Sequence, residues 1–191
     1  MRKYFLILLC FLYSCDIFET RSPEEPDQSP VVFLPATSVE VLMQNFLNSV
    51  KYKSLQNYSE CFIGDGKFNF IPAQDAFATY QSIFQNWSFT DEQRSFKSII
   101  SAVSGENTIF LNFEKSQYQY ISPDSIIYTA NYEINLPVVQ PLNLEKYNGK
   151  ILLTISQTND GTYKIVRWSD FQTSNDTIYP SWSILKARYY N

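Results

Sequence analysis

Apolar side chains recur every three or four residues in the first half of the chain. Val39, Leu42, Met43, Phe46, Leu47 and Val50 form one continuous stripe, which predicts an amphipathic helix over Val39 to Val50. Thr37 and Glu40 match a capping box at its start. The same spacing predicts further helices within residues 55–62, 74–87 and 90–103. Thr90 and Gln93 match a second capping box, before the last of these segments.

After Gly105 the apolar period changes from about 3.6 to 2, which is typical of strands. Between Ile126 and Leu136 the apolar side chains alternate strictly with polar ones, so that Glu133 falls on the polar face. Residues 108–114 alternate in the same way, residues 151–157 and 163–171 predict a hairpin around Asn159-Asp160-Gly161, and an apolar segment at 178–185 follows. This order predicts an α+β fold, with N-terminal helices packed on a curved antiparallel β-sheet.

The first fifteen residues have the pattern of a secretion signal. Arg2 and Lys3 precede the apolar run Tyr4 to Tyr13, which at ten residues is too short to span a bilayer as a helix. Leu12-Tyr13-Ser14-Cys15 resembles the bacterial lipobox, although Tyr13 is larger than the residue usual at its position. This resemblance implies cleavage before Cys15 and acylation of that cysteine. The alternatives are an ordinary cleaved signal with an incidental cysteine and a cytosolic hydrophobic strand.

Residues 16–36 differ in composition from the rest of the chain. They hold four of the nine prolines and five acidic residues against one arginine, which is typical of an extended, solvated linker. We therefore expect a signal peptide at 1–14, a lipidated cysteine and disordered tether at 15–36, and a single α+β domain at 37–191. The localisation that follows is the bacterial cell envelope, with the chain anchored to the lipid bilayer through Cys15.

Composition excludes several classes of function. The chain has no histidine and three cysteines, which rules out Ser-His-Asp and Cys-His catalysis and imidazole or four-cysteine metal sites. A sequence pI near 4.9 argues against nucleic acid as a partner. We expect neither a metal nor another cofactor.

Three features of residues 37–191 together resemble the nuclear transport factor 2-like (NTF2-like) superfamily, which includes SnoaL-like cyclases and ketosteroid isomerase. They are the opening helix at Val39 to Val50, the next helix with Tyr58, and the closing strand. That strand carries Gly161, Tyr163, Ile165, Trp168 and Asp170 in a pattern similar to the G-x-W-x-I-x-x-W-x-D ending of small secreted members. The resemblance implies a cone-like, cystatin-like fold whose enzymes work inside the cone.

No residue matches the catalytic pattern of those enzymes, so we assign none. We expect Asp170 to cap a turn or to pair with Arg167 or Lys186, and we expect the interior to hold aromatic rings rather than a carboxylate. If the interior is open, four aromatic residues would line a ligand cavity: Phe77, Tyr80, Tyr128 and Tyr132.

These patterns favour an envelope lipoprotein with a non-catalytic binding or scaffold domain, whose partner is another envelope protein. The alternatives are a cavity for a small apolar ligand and, third, an enzyme resembling ketosteroid isomerase or a cyclase.

Overall fold

The computed structural model describes residues 32–64, 66–103, 105–138, 143–173 and 179–190. The predicted signal peptide and Cys15 lie outside the described residues. Six helices and five strands follow along the described chain: α1 (Val39–Lys51), α2 (Leu55–Glu60), β1 (Asn69–Ile71), α3 (Gln74–Thr79), α4 (Gln81–Phe84), α5 (Phe89–Ser101), β2 (Phe110–Ser122), β3 (Ser125–Val138), β4 (Asn143–Gln157), β5 (Tyr163–Phe171) and α6 (Trp182–Arg188). None of the helices in these ranges is long and apolar enough to cross a membrane.

The opening helix forms where its stripe predicts, but its cap is one residue later than expected. The side chain of Ser38, and not that of Thr37, accepts a hydrogen bond from the backbone N–H of Val41. The stripe faces the core, with Leu42 and Phe46 completely buried. Capping removes the cost of an unsatisfied N-terminal amide, and burial of the stripe supplies most of the stabilisation.

Two other helical predictions are corrected. The segment 74–87 is not one helix, because the backbone leaves the helical conformation at Tyr80 and separates α3 from α4. α5 is capped by Ser88 in a capping box with Asp91, and not by Thr90 with Gln93. Moving the cap places Glu92 on the first turn of α5, facing the interior.

The five strands form one sheet in the order β1-β5-β4-β3-β2. The pairs β2–β3, β3–β4 and β4–β5 are antiparallel, while the short β1 runs parallel to β5. Five of the six helices precede the long strands, α6 follows them, and the N-terminal helices pack on the sheet, so the α+β prediction is confirmed. The alternation of β3 is confirmed as well, since its residues from Ile126 to Val138 are buried at every second position.

The chain contacts the sheet before the first helix begins. The carbonyl of Ala36 accepts a hydrogen bond of 2.7 Å from the N–H of Tyr163, at the start of β5. The carbonyl of Leu34 accepts one of 2.7 Å from the side-chain amide of Asn45 on α1. Residues 34–36 are therefore held against the fold. The division of the chain at residues 14 and 36 stays a prediction.

Candidate functional site

The four aromatic residues predicted to line a cavity do not come together. Tyr128 and Tyr132 are buried on the same face of β3, as expected. Phe77 on α3 is largely exposed, and Tyr80 lies between α3 and α4. Tyr128 borders a groove of about 340 Å³ beside Val39 and Met43. Tyr132 lines a separate cavity of about 530 Å³ beside Tyr147 and Gly149, and its hydroxyl is bonded to polar groups of the interior.

A first buried polar cluster forms around Asp170 on β5. Its Oδ1 accepts a hydrogen bond of 2.8 Å from the hydroxyl of Tyr132. Its Oδ2 accepts hydrogen bonds from the N–H and the hydroxyl of Ser183, at 2.7 and 2.5 Å. The same Tyr132 hydroxyl accepts from the N–H of Trp182 at 2.6 Å. Asp170 therefore caps the first turn of α6 and holds it against the sheet. Of its two expected roles, capping agrees with the structure, and the direct pairing with Arg167 or Lys186 is wrong.

Burial raises the pKa of Asp170, while the hydrogen bonds from Ser183 and Tyr132 and the charge of Lys186 act in the opposite direction. The net change is upward because the carboxyl is completely enclosed. Burial, with the neighbouring Asp170 charge next, also raises the pKa of Tyr132 well above its usual range. The phenol is thus a fixed hydrogen-bond donor to the carboxyl.

Tyr132 reaches Asp170 because the strand between them carries a glycine. Tyr132 on β3 pairs with Gly149 on β4, and Asp170 lies on β5 beyond it. A Cβ at position 149 would lie 2.3 Å from the Tyr132 hydroxyl oxygen and 2.6 Å from the carbonyl oxygen of Phe171. Only glycine leaves room for the tyrosine side chain to cross β4.

A second buried cluster forms around Glu92 on α5. Its Oε1 accepts a hydrogen bond of 2.6 Å from the hydroxyl of Tyr58. Its Oε2 accepts from the indole N–H of Trp87 at 2.9 Å and forms an ion pair of 2.8 Å with the ammonium of Lys186 on α6. Glu92 and Lys186 are each about 1% exposed. Burying two charges is expensive, and the direct pair with its additional hydrogen bonds offsets that cost.

The ammonium of Lys186 also lies against aromatic rings. Its Nζ is 3.5 Å from the ring centroid of Trp168 and 3.7 Å from that of Phe70. These rings attract a cation through their electron-rich faces. Burial nevertheless lowers the pKa of Lys186, and the charge of Glu92 opposes that change.

The expectation that the interior holds aromatic rings rather than a carboxylate is wrong, because Glu92 and Asp170 are both buried there. Sequence reasoning missed Glu92 and its pairing with Lys186, although both residues leave a signal in the sequence. Glu92 occupies an apolar-face position of the stripe that includes Phe89, Phe96 and Ile99. Lys186 follows Leu185 in a segment whose other residues from Trp182 to Ala187 are all buried. A charged residue at an apolar-face position of one helix, matched by an opposite charge on another, predicts a buried ion pair.

The interior is filled by side chains of α6 and by aromatic rings. The ring of Trp182 meets that of Trp168 edge to face, with centroids 4.6 Å apart. All four oxygens of Glu92 and Asp170 accept hydrogen bonds within the protein. Among the described residues, no group of three or more acidic or cysteine side chains is placed to hold a metal ion. This arrangement can fix α6 in place, and it offers no open carboxylate to a substrate.

Solved structures share this fold at low sequence identity. An NTF2-like superfamily protein from Salmonella enterica matches at a TM-score of 0.56 and 6% identity, over 72% of this chain and 89% of its own. A protein with a cystatin-like fold from Caulobacter vibrioides matches at 0.53 and 8%, over 72% and 89%. A ketosteroid isomerase-like protein from Erwinia carotovora matches at 0.52 and 8%, over 73% and 96%.

No family model matches the sequence, and no curated protein matches it. The structural likeness shows that the domain has the NTF2-like fold, as the sequence resemblance implied.

Proposed function

We propose that this NTF2-like domain is the binding or scaffold part of a bacterial envelope lipoprotein, anchored to a membrane by acylated Cys15. The lipobox-like segment before Cys15 supports the anchor. Two or three acyl chains, at about 0.8 kcal/mol for each buried methylene, hold a chain on a bilayer almost permanently. The partner is then another envelope protein that meets the domain at its surface.

The observation that carries the non-catalytic role is the saturation of the interior carboxylates. A general base must come within hydrogen-bond reach of the substrate proton. Glu92 and Asp170 are each about 1% exposed, and both sets of oxygens are occupied by Tyr58, Trp87, Lys186, Tyr132 and Ser183. A substrate can reach either carboxylate only after α6 has left the interior.

The anchor is tested by the intact mass of the chain extracted from bacterial membranes. We expect a mature chain that begins at Cys15 and carries acyl groups. Cys15→Ser removes the acceptor thiol and leaves an unprocessed precursor. Cys10→Ser is the matched control, because residue 10 lies in the removed peptide and the mature mass stays the same. A soluble, unmodified chain with another first residue contradicts the anchor.

The binding role is tested by cross-linking the anchored chain in intact cells and by native mass spectrometry of the extracted chain. We expect a cross-linked protein partner, and a native mass equal to that of the acylated chain without a small molecule. A retained small molecule, or turnover of one that is lost in Asp170→Asn, contradicts the scaffold proposal.

A second candidate function is the binding of a small apolar ligand. One observation favours it: Tyr128, Val39 and Met43 border the groove of about 340 Å³ between α1 and the β2–β3 hairpin, and this volume is within the range of small-molecule sites. Such a ligand would raise the melting temperature of the wild-type chain. Tyr128→Ala would remove that increase, whereas Phe77→Ala, a control far from the groove lining, would preserve it.

A further inference from the structure

The outer half of the β2–β3 hairpin is exposed and carries apolar side chains on a stretch of β2 that has no charged residue of its own. Every residue from 114 to 124 is exposed. Within this stretch, residues 116–123 contain no charged side chain, while Tyr118, Tyr120 and Ile121 are 45%, 55% and 61% exposed. We call residues 118–124 the hairpin tip.

Pro123 and Asp124 lie at the turn of this tip, but the edge strand β2 carries no charged side chain from residue 116 to its end at residue 122. β2 is the last strand of the sheet, and edge strands are normally protected by charged side chains, by proline or by a covering element. Here the nearest charges on β2 itself are Glu114 and Lys115, beyond a register shift between Glu114 and Gln117. Three large, exposed apolar side chains so close together on an edge strand are typical of a surface that makes a contact.

The tip is held in place by the first helix. The hydroxyl of Tyr118 donates a hydrogen bond of 2.7 Å to Oε1 of Glu40, on the first turn of α1. The rings of Tyr118 and Tyr120 meet edge to face with centroids 6.1 Å apart. The tyrosines therefore form a small preformed surface with apolar rings and polar hydroxyls.

The tip also lies at the end of the sheet where the N-terminal segment meets it. The carbonyl of Ala36 accepts from the N–H of Tyr163, and Tyr163 pairs with Gln157 across the β4–β5 hairpin. The N–H of Gln157 in turn donates a hydrogen bond of 2.9 Å to the carbonyl of Asp124, in the tip itself. The pKa of Tyr163 is raised by burial first and by the phenol of Tyr120 second, so these two side chains lie close together.

The preceding chain is short enough to keep this end near an anchored Cys15. Seventeen residues, 16–32, separate Cys15 from Phe33. A chain of seventeen residues reaches at most about 60 Å. Attachment at this range gives an effective concentration near the bilayer that makes even a weak contact well populated.

We propose that the hairpin tip docks on the lipid surface, with Tyr118, Tyr120 and Ile121 entering the interface between headgroups and acyl chains. This inference rests on the proposed anchor at Cys15. Tyrosine suits that interface, because its ring is apolar and its hydroxyl stays hydrated. Docking would fix one orientation of the domain and direct the opposite end, with Phe110, away from the bilayer.

The charges around the tip define which bilayer it prefers. Asp124 lies in the tip, and Asp160 lies in the neighbouring β4–β5 turn. Hydrogen bonds from Thr158 and Thr162 lower the pKa of Asp160 to about 2, so that it remains ionised at neutral pH. Together with Glu40, which is bonded to Tyr118, these carboxylates oppose binding to anionic lipid. The contact is therefore apolar, favours zwitterionic lipid and depends weakly on salt.

The test uses the full chain with Cys10→Ser, coupled through Cys15 to a maleimide lipid in phosphatidylcholine vesicles. Cys61 is buried and does not compete for the coupling. Ile121→Trp reports contact through quenching by brominated lipid, and Phe110→Trp, on the same strand and also exposed, is the matched control. The three native tryptophans are buried, so the additional quenching in each variant comes from the tryptophan introduced at position 121 or 110.

We expect at least twofold more quenching at position 121 than at position 110, little change between 0.05 and 0.5 M NaCl, and less quenching with phosphatidylglycerol. Adding Tyr120→Ser should reduce the signal at position 121 to that of the control. Hydrogen–deuterium exchange of residues 116–124 gives a second readout without any added tryptophan, and vesicle coupling should slow it in the otherwise wild-type chain.

Equal quenching at positions 121 and 110, with no slowing of exchange, overturns the proposal. A dimer that forms without vesicles and is lost in Tyr120→Ser also overturns it, in favour of strand pairing with a second copy. In this experiment the maleimide supplies the attachment. The absence of acylation in cells would therefore refute the proposed anchor but would not change the interpretation of the quenching measured at the hairpin tip.

Discussion

At the residue scale, Tyr132 joins three elements through one hydroxyl group. It donates to Asp170 on β5 and accepts from the N–H of Trp182 on α6, while its own backbone belongs to β3. This hydroxyl group thus fixes the sheet and α6 to each other. The alternation of β3 predicted only that Tyr132 lies on the inner face of the sheet. Its partners lie 38 and 50 positions away in the sequence, which no local pattern reveals.

Tyr132→Phe should destabilise the domain because it leaves both of these buried groups without a partner. Each unsatisfied buried group costs about 1–3 kcal/mol. The free energy of unfolding from urea titration measures the effect. Tyr128→Phe is the control on the same strand: its hydroxyl borders the groove, where water can replace a lost contact, and we expect a change of less than about 1 kcal/mol. Equal losses in the two variants would contradict the role of the Tyr132 network.

Asp170 should make stability depend on pH in a defined direction. Burial raises its folded-state pKa above the unfolded value of about 3.8, so the folded state binds the proton more tightly. The contribution of Asp170 is then fully present below pH 3.8 and is lost as pH rises through the folded pKa. Relative to Asp170→Asn, which does not titrate, the wild type should lose stability in urea titrations as the pH rises above about 3.8. If the stability of the wild type relative to Asp170→Asn increased with pH, the folded-state pKa of Asp170 would be lowered, and this explanation would be refuted.

At the element scale, α6 is fixed in the interior by two carboxylates on different elements. Glu92 on α5 holds Lys186, and Asp170 on β5 holds Ser183, three residues earlier on α6. The apolar segment at 178–185 was visible in the sequence, but its position inside the fold was not. The contacts of its aromatic, polar and charged residues depend on α5 and β5, which pack against it.

The ion pair between α5 and α6 should show strong coupling. Lys186→Met leaves Glu92 buried without its cation and should destabilise the domain by about 3–5 kcal/mol. The double variant Glu92→Gln, Lys186→Met removes both charges and should cost less than the sum of the single changes, with a coupling of about 0.5–3 kcal/mol. Urea titration of all four chains measures the cycle. Additive effects would show that the pair is not a unit.

Gly149→Ala tests the crossing of Tyr132 over β4. The added methyl would overlap the Tyr132 hydroxyl and the backbone of Phe171, and overpacking of this kind costs about 1–3 kcal/mol. Gly105→Ala is the control, because a Cβ there has nothing within 4 Å and should change stability by less than about 0.5 kcal/mol. Thermal and urea unfolding measure both. A neutral Gly149→Ala would show that the tyrosine can take another path.

Elements with a long regular period were predictable, and those that depend on distant contacts were not. The stripe of α1 and the alternation of β3 predicted both segments within about two residues, because one face of each is buried along its whole length. The break at Tyr80 and the parallel pairing of β1 with β5 have no local period. Of the candidate site, sequence placed Tyr128 and Tyr132 on the inner face, but it gave Asp170 wrong partners and took Glu92 for part of a capping segment.

At the scale of the whole molecule, the contacts of residues 34–36 should decide where a shortened chain can begin. A chain that begins at Phe33 keeps the hydrogen bonds of Leu34 and Ala36 and should unfold in one transition, with the midpoint of the full-length chain. A chain that begins at Thr37 loses the bond from Ala36 to Tyr163 and should melt several degrees lower. Calorimetry compares them. Equal midpoints would show that these contacts contribute nothing.

The parallel pairing of β1 with β5 also has a consequence for how the molecule is made. Residues 69–71 pair with residues 167–169, and the core is incomplete until Trp182 and Lys186 have been synthesised. A growing chain therefore exposes the apolar faces of α1 and α5 until almost the whole domain has been synthesised, and such distant pairings form slowly. That delay is compatible with the proposed export, in which the polypeptide would cross a membrane before its interior forms.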